Sequence, residues 1–416
     1  MPTRRDVIKA SLLLPVMAAD GVSRPSAQGP GPRVAVIGAG AFGGWTALEL
    51  RRRGARVTLI DAWGPGNARA SSGGETRVIR ATYGTRAVYT KMAARAMQLW
   101  REYDARWQRE FFRKTGALWM FGLDDSFGRA SATTVRAQGL TVEELTPQAA
   151  AKRFPQISFQ GISSALWEPD AGYLFARRAC EHVRDRFVAD GGDYRQASVH
   201  APLPVEGSSL RRIAIDGGDG VDADVFVFAC GPWLGHLFPD VVGHRVKPTR
   251  QEVYYFGTPP GDTRFIDPAM PVWVDYRQRL IYGIPGNANR GFKVADDTAG
   301  PVFDPTLGNR DATPAGISAA RAFLAERFPL LATAPLLGSE VCQYEASPDS
   351  HFIIDTHPSV SNIWIAGGGS GHGFKMGPAI GEMLAGLVLG TTAKDPQFGL
   401  ARLKDTPPGG WEEKWS

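Results

Sequence analysis

Gly38, Gly40 and Gly43 stand at G-x-G-x-x-G spacing in the stretch RVAVIGAGAFGGWTALELRRRGARVTLIDA, which closes on Asp61. The first glycine permits a tight turn, the second lets the backbone approach a pyrophosphate, and the third lets a helix pack closely on a strand. Ala41 and Phe42 complete the same turn, and the N–H groups of a helix starting there are free to face phosphates. A carboxylate about 20 residues further on, here Asp61, accepts hydrogen bonds from an adenosine ribose. The pattern points to an adenine dinucleotide and does not by itself separate NAD from FAD.

Such a site needs strand, turn, helix and strand in that order. The apolar run before Gly38, the helical period through Trp45, Leu48 and Leu50, and the second apolar run ending at Asp61 supply it. Two later stretches, DADVFVFACGPW and NIWIAGGGSGHGFKMGPAIGEMLAGLVLG, are again buried-strand patterns running into glycine turns. These junctions predict one α/β, Rossmann-like cofactor domain assembled from residues 33–115, 179–245 and 339–398. Residues 116–178 and 246–338 would form a second, substrate domain, and 399–416 a surface tail.

The chain's 416 residues are enough for two cores, and its balance of apolar and charged residues is that of a globular protein. Part of the +5 formal charge lies at the start, where Arg4, Arg5, Lys9 and Arg24 oppose Asp6 and Asp20. No basic stripe interleaved with aromatics remains to suggest nucleic acid. Residues 1–32 hold the twin arginine of TRRDVIKASLLLPVMAA and a Pro/Gly/Ser-rich linker, which reads as a twin-arginine export signal and predicts a periplasmic or secreted protein. Its apolar part falls short of the ~20 residues that span a bilayer. Cys180 and Cys230, in apolar contexts, read as buried small hydrophobes. His351, Asp355 and His357 of HFIIDTH sit on a strand pattern and are not read as a metal site.

Four blocks, GGETRVIRATYG, LIYGIPGNANRGFK, EVCQYEASPDSHFIIDTHP and GGGSGHGFKMG, carry a resemblance to the flavin-dependent amine oxidases typified by monomeric sarcosine oxidase and N-methyltryptophan oxidase. The resemblance extends over nearly the whole chain after the linker. It implies FAD, a cofactor domain of the glutathione-reductase type, and an α+β substrate domain containing an antiparallel sheet. It also implies a monomer that oxidises a small secondary or N-alkylated amino acid and passes the electrons to molecular oxygen. A periplasmic dehydrogenase feeding a quinone or carrier is the alternative.

Residue by residue, the resemblance implies that Cys342 carries the flavin through a thioether, and that Arg80 and Lys375 clamp the substrate carboxylate. Arg77 would lie close to the flavin, Lys293 would activate oxygen, and Tyr282 and Tyr344 would line the amine side. Ser71, just before one block, Thr76 and Arg77 within it, and Gly371, Gly373, Phe374 and Lys375 in another, would contact the cofactor, with His372 structural. The chain departs from the pattern at Ser72 and Gly73, where relatives have paired histidines, and at Asp297, where sarcosine oxidase has a histidine. The first change would enlarge the pocket; the second would favour a cationic group on the substrate.

Overall fold

The computed structural model describes residues 31–200, 205–218 and 220–404. The twin-arginine segment lies outside the described residues. Strands drawn from the start, middle and end of the chain form a six-stranded sheet in the order Ile353–Thr356, Ile363–Gly367, Val225–Phe228, Arg33–Ile37, Arg56–Asp61, Asp193–Gln196. All neighbours are parallel except the first pair. The central strands RVAVI and VFVF are nearly continuous apolar runs because helices cover a parallel sheet on both faces.

The helix Ala41–Arg52 leaves the first strand through the glycine turn and packs against the helix Gly377–Val388. Close approach is built into the second helix, since a Cβ at Gly381 would lie 2.8 Å from the Trp45 backbone. Trp45 in turn packs edge-on to Trp100 and stacks on Trp107, which fastens the helix Ala87–Trp107 to the same layer.

An eight-stranded sheet runs Leu336–Ala346, Lys247–Phe256, Phe292–Asp296, Leu280–Ile284, Val272–Tyr276, Ala117–Phe121, Ser164–Glu168, Glu143–Leu145. It is mixed rather than purely antiparallel, because Val272–Tyr276 and Ala117–Phe121 pair in parallel. The helix Pro314–Arg327, capped by Thr313, covers one face with Phe323, which stacks on Trp273.

Pairing and burial place three segments differently from the expected boundaries. Leu336–Ala346 is registered along Lys247–Phe256, so residues 339–346 belong to the larger sheet and not to the cofactor unit. Gly172–Phe175, expected in the substrate domain, pairs with Thr76–Ile79 in a small three-stranded sheet. The start of the expected surface tail is core: Leu400 and Leu403 are buried with Ile353 and Ile363, and Arg402 pairs with Asp349 at 2.8 Å.

At Gly43 a Cβ would overlap the Gly38 carbonyl oxygen, whereas at Gly44 it would meet nothing nearer than 3.4 Å. Gly43→Ala should therefore lower stability by about 1–3 kcal/mol. Gly44→Ala should be neutral or gain up to about 1 kcal/mol from helix propensity, the two being compared by urea unfolding.

Candidate functional site

A cavity of about 350 Å³ opens at the carboxyl ends of the parallel strands, by Ile37, Asp61 and Ala229, and reaches Arg77, Tyr344 and Phe374. Gly38 makes the turn at φ +102°, and a Cβ there would overlap the Ala229 carbonyl. Asp61 Oδ2 accepts the Ala39 N–H at 2.7 Å, and Oδ1 accepts those of Trp63 and Gly64 at 3.0 and 2.8 Å. Burial holds this carboxyl above the ordinary range despite those donors. Ser72 Oγ accepts the Ala41 N–H at 2.9 Å and would lie 3.1 Å from a Cβ at Gly40.

The lining fits FAD. Backbone donors at a glycine-lined helix start suit a pyrophosphate. Ser71 Oγ and Glu345 Oε2, both on the cavity wall, are buried without a hydrogen-bond partner, as groups facing a polar ligand would be. Glu345 Oε1 accepts the Gly369 N–H at 3.2 Å, and burial pushes the carboxyl up to about 7. Gly371, Gly373 and Phe374 complete this wall. Cys230, half-buried, also lines it and directs its sulfur at the Ile37 carbonyl, 3.5 Å away, while Cys180 is buried elsewhere.

Cys342 lies beside this lining. Its Sγ accepts from Arg77 Nη2 at 3.2 Å and lies 3.9 Å from the Ser71 carbonyl oxygen. Arg77 also donates to the carbonyls of Ser71, Gly73 and Thr76, which fixes the guanidinium against the sulfur at the cavity's edge.

A second cavity, about 50 Å³, meets the first at Arg77, Gly371 and Phe374. Arg80 and Lys375 both line it, and both are buried. The Arg80 guanidinium donates to the Thr82 carbonyl and sits over the Tyr83 and Trp119 rings, 4.4 and 4.9 Å from their centroids. Lys375 Nζ donates to the Tyr83 hydroxyl at 3.0 Å and the His372 carbonyl at 2.9 Å. Asp297 lines the same space, with Oδ1 accepting the Tyr344 hydroxyl at 2.6 Å; Tyr282 stands beside it. Burial, and then the Asp297 charge, keep both phenols protonated well above the usual tyrosine range.

Lys293 is 2% exposed, donates from Nζ to the Thr76 carbonyl at 3.0 Å, and lies 5.8 Å from the Tyr282 ring centroid. Burial first, and the neighbouring Arg77 second, depress its ammonium to about 7. Gly43 and Thr76 support these walls without lining either cavity.

Several contributors went unnoticed in the sequence. Tyr83 joins Arg80 to Lys375, and Glu168 accepts the Ala81 N–H at 2.8 Å, the Trp119 Nε1–H at 3.1 Å and the Thr82 hydroxyl. Tyr83 and Glu345 both stand in the family-like blocks, so membership of those blocks was the available signal. Ser72 and Gly73 do not widen the amine pocket as expected. Ser72 serves the helix start, Gly73 is walled in by the Asn67 and Ala70 carbonyls, and neither lines the smaller cavity. His351, Asp355 and His357 turn to separate partners, Tyr89, Lys394 and Ser359.

A family model described as FAD dependent oxidoreductase matches residues 33–387. The chain is 32% identical over 371 residues to monomeric sarcosine oxidase of Bacillus sp. (strain B-0618), covering 87% of this chain and 93% of that one. It is 29% identical over 369 residues to N-methyl-L-tryptophan oxidase of Salmonella arizonae, covering 88% and 96%. Among solved structures, L-proline dehydrogenase from P. horikoshii superposes with a TM-score of 0.78 at 21% identity, covering 90% of this chain and 98% of that one, a likeness of fold.

Glu168 is 2% exposed, and burial raises its carboxyl. Glu168→Ala would strand the Ala81 and Trp119 N–H groups and should cost about 2–4 kcal/mol in urea unfolding. Glu168→Gln, which keeps one acceptor oxygen, should cost less.

Proposed function

The chain belongs to the FAD dependent oxidoreductase family and is a flavin-dependent oxidoreductase acting on a C–N amine group; from that premise we propose that it is an oxidase of a small secondary or N-alkylated amino acid. The observation that carries this reading is the smaller cavity. Two buried cations, Arg80 and Lys375, line it where it meets the cofactor cavity at Arg77, Gly371 and Phe374.

Bound FAD supplies two-electron acceptance from the amine carbon. The protein's part is to place that carbon. Arg80 offers a planar fork and Lys375 a point charge to one carboxylate. Their posts are firm: Glu168 ties down the backbone and the Trp119 ring beside Arg80, and Tyr83 and the His372 carbonyl hold Lys375. Trp119, Val274 and Leu280 form an apolar wall for the alkyl group. The substrate gives up two electrons and two protons and leaves as an imine, which water hydrolyses; molecular oxygen takes both electrons and both protons to become hydrogen peroxide.

Lys293 is assigned to the oxygen step, because a fixed positive charge in a water-poor site stabilises negative charge developing on oxygen. Cys342 is assigned as the thioether attachment point, its sulfur held by Arg77 beside the cavity. Arg4 and Arg5 at the chain start support export through the twin-arginine machinery to the periplasm or beyond, which cell fractionation tests.

An intact mass of the denatured protein should exceed that of the chain by one FAD, and Cys342→Ser should remove the excess while the native protein stays yellow. Reoxidation of reduced enzyme by oxygen should slow as pH rises through about 7, the value of the buried Lys293, because the charged form is lost. Lys293→Met should slow reoxidation about 100-fold and flatten its pH dependence while flavin reduction changes little. Stopped-flow measurement of the two half-reactions separates these, and electrons passing only to an artificial acceptor would favour the dehydrogenase.

A further inference from the structure

Glu345 lines the cofactor cavity and has one carboxyl oxygen that the protein leaves unpaired. The residue is 7% exposed; Oε1 accepts the Gly369 N–H at 3.2 Å, and Oε2 has no hydrogen-bond partner among the described residues. Three glycines make room for the group. A Cβ at Gly367 or Gly231 would lie 3.1 or 3.5 Å from Oε2, and one at Gly369 would lie 3.0 Å from Oε1. Gly231 follows closely on Ala229, whose carbonyl borders Gly38, while Cys342 precedes Glu345 on the same strand. The carboxyl therefore stands between the phosphate turn and the thioether position.

The titratable groups nearby come from several elements. Cys230 adjoins the Gly231 turn, and burial keeps its thiol protonated. Asp61, Arg77 and His236 line the cavity elsewhere, and Lys247 is next to Pro248, the register partner of Glu345. His372, beyond the glycine loop, turns to the Tyr83 hydroxyl and the Ser350 carbonyl. Oε2 accepts a hydrogen bond from none of them. An ionised carboxylate here would meet the cofactor's phosphates as a like charge, whereas the neutral acid offers them an O–H donor. Burial already pushes this carboxyl up to about 7.

We propose that Glu345 holds the cofactor as an acid, donating its Oε2–H to an acceptor oxygen of the phosphate and ribityl chain, so that the grip on FAD loosens when that proton is lost. This rests on FAD occupying the larger cavity. Because the protonated form binds the better, bound cofactor must in turn hold the proton more tightly. Release of FAD therefore quickens as pH rises above about 7. The amide in Glu345→Gln donates without ionising and keeps its grip at every pH.

The test starts from Cys342→Ser holoenzyme, diluted into buffers from about pH 6 to about pH 9, and follows release of FAD by the rise of free-flavin fluorescence. Release should quicken roughly 10-fold or more across that range. With Glu345→Gln added it should stay slow and flat, and with Glu345→Ala it should be fast throughout. In wild-type holoenzyme, infrared spectra should show a protonated-carboxyl band that fades as pH rises over the same range and is absent from Glu345→Gln. The infrared result decides alone where Cys342→Ser loses its flavin during purification.

A flat release profile in Cys342→Ser, a pH dependence that survives Glu345→Gln, or an infrared band that this substitution leaves in place would overturn the assignment to Glu345 while leaving FAD in the cavity. Wild-type protein that takes up no flavin would overturn the cofactor reading itself, and this inference with it.

Discussion

Four successive side chains of the strand Leu336–Ala346 are each tied to a different part of the molecule, and the rest of the site depends on that strand's register. Cys342 meets Arg77, Gln343 donates to the Arg69 carbonyl, Tyr344 donates to Asp297, and Glu345 accepts from Gly369. Pairing with Lys247–Phe256 down the strand fixes the register. A slip of one residue would send every side chain to the opposite face, removing the sulfur from Arg77 and the phenol from Asp297 at once. The strand belongs to the larger sheet, yet Tyr344 and Glu345 line the cofactor cavity, so the pairing also sets how the two cavities meet.

The second constraint is electrostatic. Arg77, Arg80, Lys293 and Lys375 all stand at or beside the junction of the cavities, and Arg80, Lys293 and Lys375 are buried. Burying cations together is unfavourable unless carbonyls, rings and acids compensate. Arg77 has three carbonyl partners, Arg80 has a carbonyl and two aromatic faces, and Lys375 has a phenol and a carbonyl. Lys293 bears the remaining penalty as a depressed pKa. A site held in this state favours an incoming anion over water, which is why a carboxylate-bearing substrate suits it.

What could be read from sequence followed how far apart the interacting residues stand. The glycine turn and Asp61 are contiguous in one strand–helix–strand unit, and the acid closes on the turn through the Ala39 N–H. Arg80, Lys375, Lys293 and Cys342 drew attention through the family-like blocks around them. Glu168, by contrast, has no local motif. It matters because it reaches Ala81 and Trp119, 87 and 49 residues away, a relation composition and periodicity do not encode. The boundary near 339 failed for a similar reason, since a strand's partner is set by the sheet and not by its neighbours in the chain. Ser72 shows that a substituted position can acquire a different role, since its hydroxyl caps Ala41 instead of shaping the amine pocket.

The sheet behind the cofactor cavity pairs Arg33–Ile37 with Val225–Phe228, and Val225–Phe228 with Ile363–Gly367. Its most distant wall comes from the turn at Gly369 to Phe374 that follows. None of these pairings is local, and closing such loops is slow. A ribosome-bound chain that stops before Ile363–Gly367 has the glycine turn but lacks one wall of the cavity. Flavin loading thereby awaits synthesis of residues 363–374, and the nascent chain must persist without its cofactor until then.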